Sequence, residues 1–374
     1  MHLDLDPDQQ LFASSTREFL TSSLGTAGDS SDGVPTFDPA WWARGADLGW
    51  FSPAAPEEFG GGSISGRPLV ELSLIAQAFG EHCAPGPLTV TAAVLSVLTS
   101  DQSRAEIVEQ IISGQTIATL AHYEPDRDWL RSTGTQLVTE PDGTLRLTGV
   151  KDRVECGTDA SLILVTATSE DGPVLVLVDP SHESVTVTPT WSLDAGRQFS
   201  RIELTATPLG VDQVVATGTA AAARLRRART IAAALAAAES CGTLSSMFNV
   251  TMRWLGDRYT FGRPLSSYQV LKHRMADNKT WLESSLAITS AAFSALDADA
   301  GNADDLVSAA KSYVGDKSVA ILQDFVQMHG GLGVTWEHQL HLYLRRAVCN
   351  RVLYGTPDEH RAEITAAIEV RESA

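Results

Sequence analysis

Two groups of residues near the C-terminus contain types that can contact a phosphate-bearing ligand: an arginine in the first group and a glycine pair in the second. The first group is Arg258 with Phe261 and Gln269 after it, and the second is Gln327 with Gly330 and Gly331. Arginine is a permanently charged fork that can hold a pyrophosphate, and a glycine pair lets backbone amides approach a ligand closely. Ordinary alternatives are a helix C-terminal arginine at Arg258 and a helix C-cap at Gly330. Phe261 and Gln269 could equally be interface packing.

Proton abstraction would need a well-placed carboxylate, and the stretch RVLYGTPDEHR at residues 351–361 holds a turn that could deliver one. The residue before its Gly355 is Tyr354, a phenol with an ordinary pKa of about 10 and therefore a poor base at neutral pH. Glu359 is expected in the first turn of a helix. Glu239 is a weak candidate, for which a buried structural glutamate is the preferred interpretation.

Three segments with different sequence patterns predict the secondary-structure elements that position these residues. Residues 1–114 have helical periodicity, with Asp6 as an N-cap. Residues 115–217 contain short β-branched runs separated by turns, which favours a small antiparallel barrel or sandwich. Residues 218–374 return to helix formers and favour a four-helix bundle, with Pro264 at the start of one helix. The predicted fold class is α+β, with an all-α domain, a β-domain and a helical-bundle domain in that order.

Composition excludes several classes of function. The 374 residues are 43% hydrophobic and 20% charged, which is a normal globular balance. A net charge of -18 argues against a surface that binds nucleic acid or an anionic membrane. The start of the chain has no signal-like pattern, and no run of about 18 uninterrupted apolar residues follows, so a cytoplasmic location is expected.

Cysteine and histidine spacing predicts no metal site. The cysteines are far apart and are expected to be reduced, buried thiols; they are Cys83, Cys156, Cys241 and Cys349. His338 and His341 could share a helix face, but no carboxylate completes a metal pattern, so a solvated face is the preferred interpretation.

Four motifs carry a family resemblance. They are RYTFGRP at 258–264 followed by Gln269, QMHGGLG at 327–333, PEEFGGG at 56–62 and SLDAGR at 192–197. In this order, and with the β-rich middle, the chain resembles the acyl-CoA dehydrogenase family of flavoproteins over essentially its whole length.

The resemblance implies a cofactor, a reaction and an assembly. It implies FAD held between two subunits of a dimer, with dimers pairing into tetramers, and α,β-dehydrogenation of an acyl-CoA. A glutamate removes the α-proton, the flavin accepts the β-hydride, and an electron-transfer flavoprotein reoxidises it. By the same resemblance Arg258 contacts the neighbouring subunit's FAD, Phe261 packs against it and Gln269 hydrogen-bonds it. Residues 327–331 match the family's adenosine-binding turn.

This chain departs from the family on the other half of the site. The family's glutamate aligns with Tyr354, and the alternative glutamate of some relatives aligns near Ala232. After Glu124 and Pro125, the small-residue turn that holds the flavin ring is replaced by charged and bulky residues at 126–129. The flavin-facing Trp-Ile-Thr segment aligns near residues 153–157, where Glu155 would repel a reduced flavin.

The leading hypothesis is therefore the noncatalytic β-type subunit of a bacterial α2β2 acyl-CoA dehydrogenase, a type known for bulky steroid-CoA substrates. Such a chain would complete the FAD site of a homologous subunit that carries the base. The alternatives are a self-sufficient homotetramer that uses a base such as Glu239 or runs oxidase or monooxygenase chemistry, and a scaffold without flavin.

Overall fold

The N-terminal part is a layer of helices. The structure is a computed structural model that describes residues 5–25, 34–125 and 134–372. Asp6 caps the first helix in a reciprocal pair with Gln9, as its position in the sequence predicts. The helices of this layer are α1 (Pro7–Leu24), α2 (Pro39–Asp47), α3 (Pro68–His82), α4 (Leu88–Leu98) and α5 (Ala105–Ile112).

The middle part is a mixed β-sheet. Its strands are β1 (Ala118–Ala121), β2 (Gln136–Thr139), β3 (Leu145–Glu155), β4 (Leu162–Ser169), β5 (Gly172–Val178), β6 (Val185–Thr190), β7 (Phe199–Leu209) and β8 (Val214–Thr217). Their order is β6-β7-β3-β2-β4-β5-β8, with β1 beside β4. Most pairs are antiparallel as predicted, but β1 and β2 both pair with β4 in parallel. Parallel partners need long connections rather than hairpins, which strand patterns do not reveal.

The C-terminal part is a helical bundle built on α8. Its elements are α6 (Gly218–Asp257), β9 (Tyr259–Thr260), β10 (Arg263–Pro264), α7 (Gln269–Asp297), α8 (Ala303–His329), α9 (Leu340–Val352) and α10 (Pro357–Glu372). Helix α8 packs against α6, α7, α9 and α10. Pro264 precedes a short 3-10 helix at Leu265–Ser267, as the expected helix start predicts, but its own backbone is extended and closes a two-stranded hairpin with β9. The long helix α7 begins only at Gln269. The predicted domain boundaries fall between α5 and β1, and between β8 and α6.

Helix α6 joins the helical layer to the bundle through small residues. A side chain at Gly80 of α3 would overlap the Glu239 carbonyl, and one at Gly242 of α6 would overlap the Gln77 carbonyl. The alanines around position 235 are therefore close-packing contacts. By length and composition alone α6 could span a membrane, but 83% of its most apolar window is buried within the protein. This close packing of α3 against α6 places Glu239 in the interior of the protein.

Candidate functional site

Tyr354 lies in a strained turn between α9 and α10. It has a backbone φ of 59°, and Gly355 beside it has φ of 98°, so both lie in the left-handed region. The Tyr354 hydroxyl donates to Glu155 Oε2 at 2.7 Å, and its amide donates to the Tyr123 hydroxyl at 2.6 Å. Burial and the Glu155 charge raise the pKa of Tyr354 well above its usual value. The phenol is therefore held as a neutral hydrogen-bond donor.

Three side chains of α8 and α10 hold this turn in place. Lys311 Nζ donates to the Gly355 carbonyl at 2.7 Å, and a ring nitrogen of His360 lies 3.0 Å from the Tyr354 carbonyl oxygen. Glu359 accepts from the Thr356 amide at 2.6 Å, so it closes the N-terminus of α10, which begins at Pro357. Glu359 is thus occupied as a helix cap.

The buried ammonium of Lys311 predicts a pH dependence of stability. Burial lowers the pKa of Lys311 from 10.5 to about 7. Above about pH 7 the unfolded chain keeps a proton that the folded chain has released, so folded stability should rise with pH through this range. We expect the free energy of unfolding of wild type, relative to Lys311→Met, to increase between about pH 7 and about pH 9 in urea titrations. Lys317→Met, on the same helix over Trp281, should leave the pH dependence unchanged; an identical slope in Lys311→Met would contradict the assignment.

Glu155 is the first member of a buried ion cluster. A bulge between Lys151 and Val154 distorts the end of β3, where Glu155 is only 3% exposed. Its carboxylate lies 3.2 Å from Arg197 Nε. Burial raises the pKa of Glu155.

Glu239 and Arg346 complete the buried ion cluster. The Glu239 carboxylate pairs with Arg197, accepts from Arg346 Nη1 at 2.6 Å and accepts from Asn350 Nδ2 at 3.2 Å. Arg346 is fully buried and also pairs with Asp194. The cluster consists of Glu155, Asp194, Arg197, Glu239 and Arg346, with Asn350 and Tyr354 as neutral partners. Both oxygens of Glu239 are engaged, as in a structural carboxylate.

In contrast to the buried ion cluster, the cofactor candidates of the first group are exposed at the surface. Arg258 ends α6 at the surface, with its guanidinium 5.8 Å from the centre of the Trp254 ring. The hairpin that follows exposes 95% of Phe261, which has a left-handed φ of 51° at the hairpin tip. Gln269 begins α7 and is exposed, with His273 as a neighbour at 3.4 Å. A folded chain seldom holds an aromatic side chain in water by a strained backbone without use for it.

The second group lies beside the first. Trp254 Nε1 donates to the Met328 carbonyl at 3.2 Å, and the Trp254 ring stacks on His329, so the ends of α6 and α8 meet. Gln327 is exposed on the last turn of α8. A Cβ on Gly330 or Gly331 would meet no atom within 4 Å, so both backbones face open space.

Two domain profiles settle the relationship of this chain. The acyl-CoA dehydrogenase N-terminal domain matches residues 6–115, and the acyl-CoA dehydrogenase C-terminal domain matches residues 219–369. The chain belongs to the acyl-CoA dehydrogenase family. The family resemblance and the three-part fold are confirmed. As a member of this family the chain is an oxidoreductase of the class that acts on CH–CH groups.

One curated relative covers most of this acyl-CoA dehydrogenase chain. Acyl-CoA dehydrogenase IpdE2 of Mycolicibacterium smegmatis is 28% identical over 334 residues, which are 89% of this chain and 89% of that protein. It is therefore similar along nearly its whole length.

Solved acyl-CoA dehydrogenase structures share the fold. A variant of the Tcur3481-Tcur3483 steroid ACAD has a TM-score of 0.84 at 24% identity, covering 98% of this chain and 99% of that one. The ChsE4-ChsE5 complex from Mycobacterium tuberculosis has a TM-score of 0.84 at 22% identity, with 99% of both chains covered. A glutaryl-CoA dehydrogenase from Mycobacterium smegmatis in complex with FADH2 has a TM-score of 0.87 at 19% identity, with 97% and 95% covered. At these identities the likeness establishes the fold alone.

The residues fit the family's FAD on one face and not on the other. Open space at Gly330 and Gly331, with the exposed Arg258 and Phe261, leaves room for a dinucleotide that reaches this surface. At Tyr354 the space is instead filled by the buried ion cluster, whose members are almost entirely excluded from solvent. The flavin ring of FAD could enter there only by displacing paired charges.

Several site features were beyond sequence reasoning. Arg197 and Arg346 were missed as partners of Glu155 and Glu239, although a buried carboxylate signals a cation nearby. His338 and His341 do not share a helix face, and both are half-buried. His338 precedes α9, and its ring lies 4.7 Å from His329, while His341 lies 4.4 Å from Trp336. Burial lowers the pKa of His338 to about 4. The altered turn at 126–129 lies outside the described residues.

Proposed function

We propose that this chain is the noncatalytic subunit of a heteromeric, cytoplasmic acyl-CoA dehydrogenase. It gives the residues of the two exposed groups to the FAD of a homologous subunit; they are Arg258, Phe261, Gln269, Gln327, Gly330 and Gly331. The partner supplies the glutamate that removes the α-proton of the acyl-CoA. When bound, FAD would supply the acceptor for the β-hydride, and an electron-transfer flavoprotein is the expected acceptor of its electrons.

The buried ion cluster is the observation that carries this proposal. The family's base position holds Tyr354, whose hydroxyl is committed to Glu155 at 2.7 Å. Arg197 and Arg346 pair with two further carboxylates of the region, Glu239 and Asp194. Within the part of the chain that the structure describes, the carboxylates around Tyr354 are therefore engaged and leave no room for a flavin ring, while the surface that suits another subunit's cofactor is exposed.

Each side chain of the cofactor surface has a defined task in this proposal. The Arg258 guanidinium holds the pyrophosphate through charge-assisted hydrogen bonds. Phe261 shields the cofactor from water, and Gln269 donates or accepts a hydrogen bond. The open backbone at Gly330 and Gly331 lets amides approach the adenosine half, next to the Gln327 side chain.

The contacts of Glu239 do not support the alternative of a self-sufficient enzyme that uses this residue as its base. A base must have a free lone pair within reach of the proton that it removes. Glu239 accepts from three residues and is 3% exposed, so its oxygens have no approach for a substrate.

The bulky acyl class is also part of this proposal. One of the similar solved structures is named a steroid ACAD, that is, a steroid acyl-CoA dehydrogenase. We propose a bulky or steroid side-chain CoA thioester as the substrate of the complex.

The test is the flavin content of the chain alone and with a partner. We expect the purified chain to lack the visible flavin absorption. Co-expressed with a homologous acyl-CoA dehydrogenase chain that carries the glutamate, it should form a yellow complex with one FAD per pair of subunits. Stoichiometric FAD and turnover in the lone chain would refute the division of labour. A stable but colourless complex would favour the flavin-free scaffold instead.

A further inference from the structure

A second exposed aromatic feature lies on the β-domain. A groove of about 470 Å³ is lined by Thr158 and Asp159 on one side and by residues between 189 and 199 on the other. We call it the Trp191 groove, because Trp191 stands at its rim with 85% of its surface exposed. Leu193, next to it, is 37% exposed. A cavity of this size accepts inserted side chains.

The charges in the floor of the Trp191 groove are compensated by ion pairs. Arg197 lines the groove, but its charge is compensated by Glu155 and Glu239 of the buried ion cluster. Phe199 is buried and adds an apolar surface. Asp194 is paired with Arg346, whereas the half-buried Asp159 has no ion pair among the described residues. The groove thus offers an aromatic rim, a floor that combines Phe199 with paired charges, and the carboxylate of Asp159.

The hairpin at residues 258–264 has the complementary features. Phe261 is 95% exposed and Tyr259 is 65% exposed, so the hairpin projects away from the described residues of its own chain. Its charged residues are Arg258 and Arg263. An aromatic, cationic finger matches an aromatic groove that carries a carboxylate.

We propose that the Trp191 groove receives the corresponding hairpin of the homologous partner subunit. The inference rests on the proposed function, in which this chain's own hairpin lies in the partner's cleft. Two-fold association of similar chains is reciprocal: if the hairpin of one lies in the cleft of the other, the second hairpin needs a seat in the first. The Trp191 groove lies against the buried ion cluster, so the partner's hairpin packs there on protein and not on a flavin.

The reciprocal seat gives Trp191 the character of an interface hot spot. Tryptophan and arginine dominate binding energy when they are buried at the centre of an interface. Trp191→Glu should therefore weaken assembly of the two-subunit complex by roughly tenfold or more. Val211 is equally exposed on the same domain, at 81%, and Val211→Glu should leave assembly within about twofold.

Photocrosslinking in the co-expressed complex tests the contact directly. With p-benzoylphenylalanine in place of Trp191, irradiation and peptide mass spectrometry should identify the partner's hairpin as the main product. The same probe in place of Val211 should give no crosslink to that hairpin. Crosslinks from position 191 to a second copy of this chain, to another part of the partner or to nothing would overturn the proposal.

Flavin content distinguishes a failure of this proposal from a failure of the proposed function on which it rests. If the complex holds one FAD per pair but position 191 does not reach the hairpin, only the reciprocal seat is wrong. If the lone chain binds FAD stoichiometrically, the noncatalytic role itself fails.

Discussion

Replacement of Arg346 by methionine should lower the free energy of unfolding by about 3–5 kcal/mol, because breaking a buried ion pair leaves an uncompensated charge. Arg346 is fully buried and pairs with Asp194 from the β-domain and Glu239 from α6. It also donates to the Cys83 and Ala84 carbonyls at the end of α3, at 3.3 and 3.0 Å. One side chain therefore joins all three parts of the fold.

The neighbouring Arg345 is a matched control for this prediction. Its guanidinium lies 4.7 Å from the centre of the exposed Trp336 ring, at the surface of the same helix. Arg345→Met should cost less than about 1 kcal/mol. Urea unfolding followed by tryptophan fluorescence measures both variants. Equal midpoints for Arg346→Met and wild type would mean that the buried ion cluster does not hold the parts together.

Replacement of Arg258 by alanine should weaken FAD binding by the two-subunit complex by about tenfold to a thousandfold. A charged hydrogen bond to a pyrophosphate contributes about 1.5–3 kcal/mol, and a desolvated one contributes more. Arg258 is exposed at the end of α6 and stacks on Trp254, so its removal takes away no core contact. The chain should fold normally and still associate, but the complex should lose yellow colour on dilution.

Arg226 serves as the control, because it is an exposed arginine near the other end of the same helix. Arg226→Ala should leave FAD affinity unchanged, measured by flavin fluorescence on dilution of the complex. Equal retention of FAD by both variants would remove Arg258 from the cofactor site.

Local features of this fold could be predicted from sequence, and long-range pairings could not. The Asp6 cap acts on Gln9, three residues away, so its signal is contained in a short window. The Tyr354 hydroxyl bonds Glu155 across 199 residues of sequence. No periodicity or spacing reports such a pairing. The departures at positions 155 and 354 were visible separately, but their contact was not.

Pro264 shows a different limit. The proline ring fixes φ near −65°, which suits the first turn of a helix and is tolerated at the edge of a strand. Pro264 does both, because it pairs with β9 and directly precedes the 3-10 helix at Leu265–Ser267, and the local pattern could predict only the helix. The exposure of Phe261 likewise depends on the hairpin, and sequence composition alone assigns such a residue to a core.

The contact between Tyr354 and Glu155 makes a return of glutamate to position 354 difficult. A single codon change that restored glutamate at 354 would force two acidic groups together in a water-free interior, where like charges destabilise each other. A carboxylate at position 354 would require Glu155 to be replaced as well, and that replacement would leave Arg197 without one of its counterions. Under the proposed division of labour, descendants of this chain therefore depend on inheriting the gene of the partner subunit.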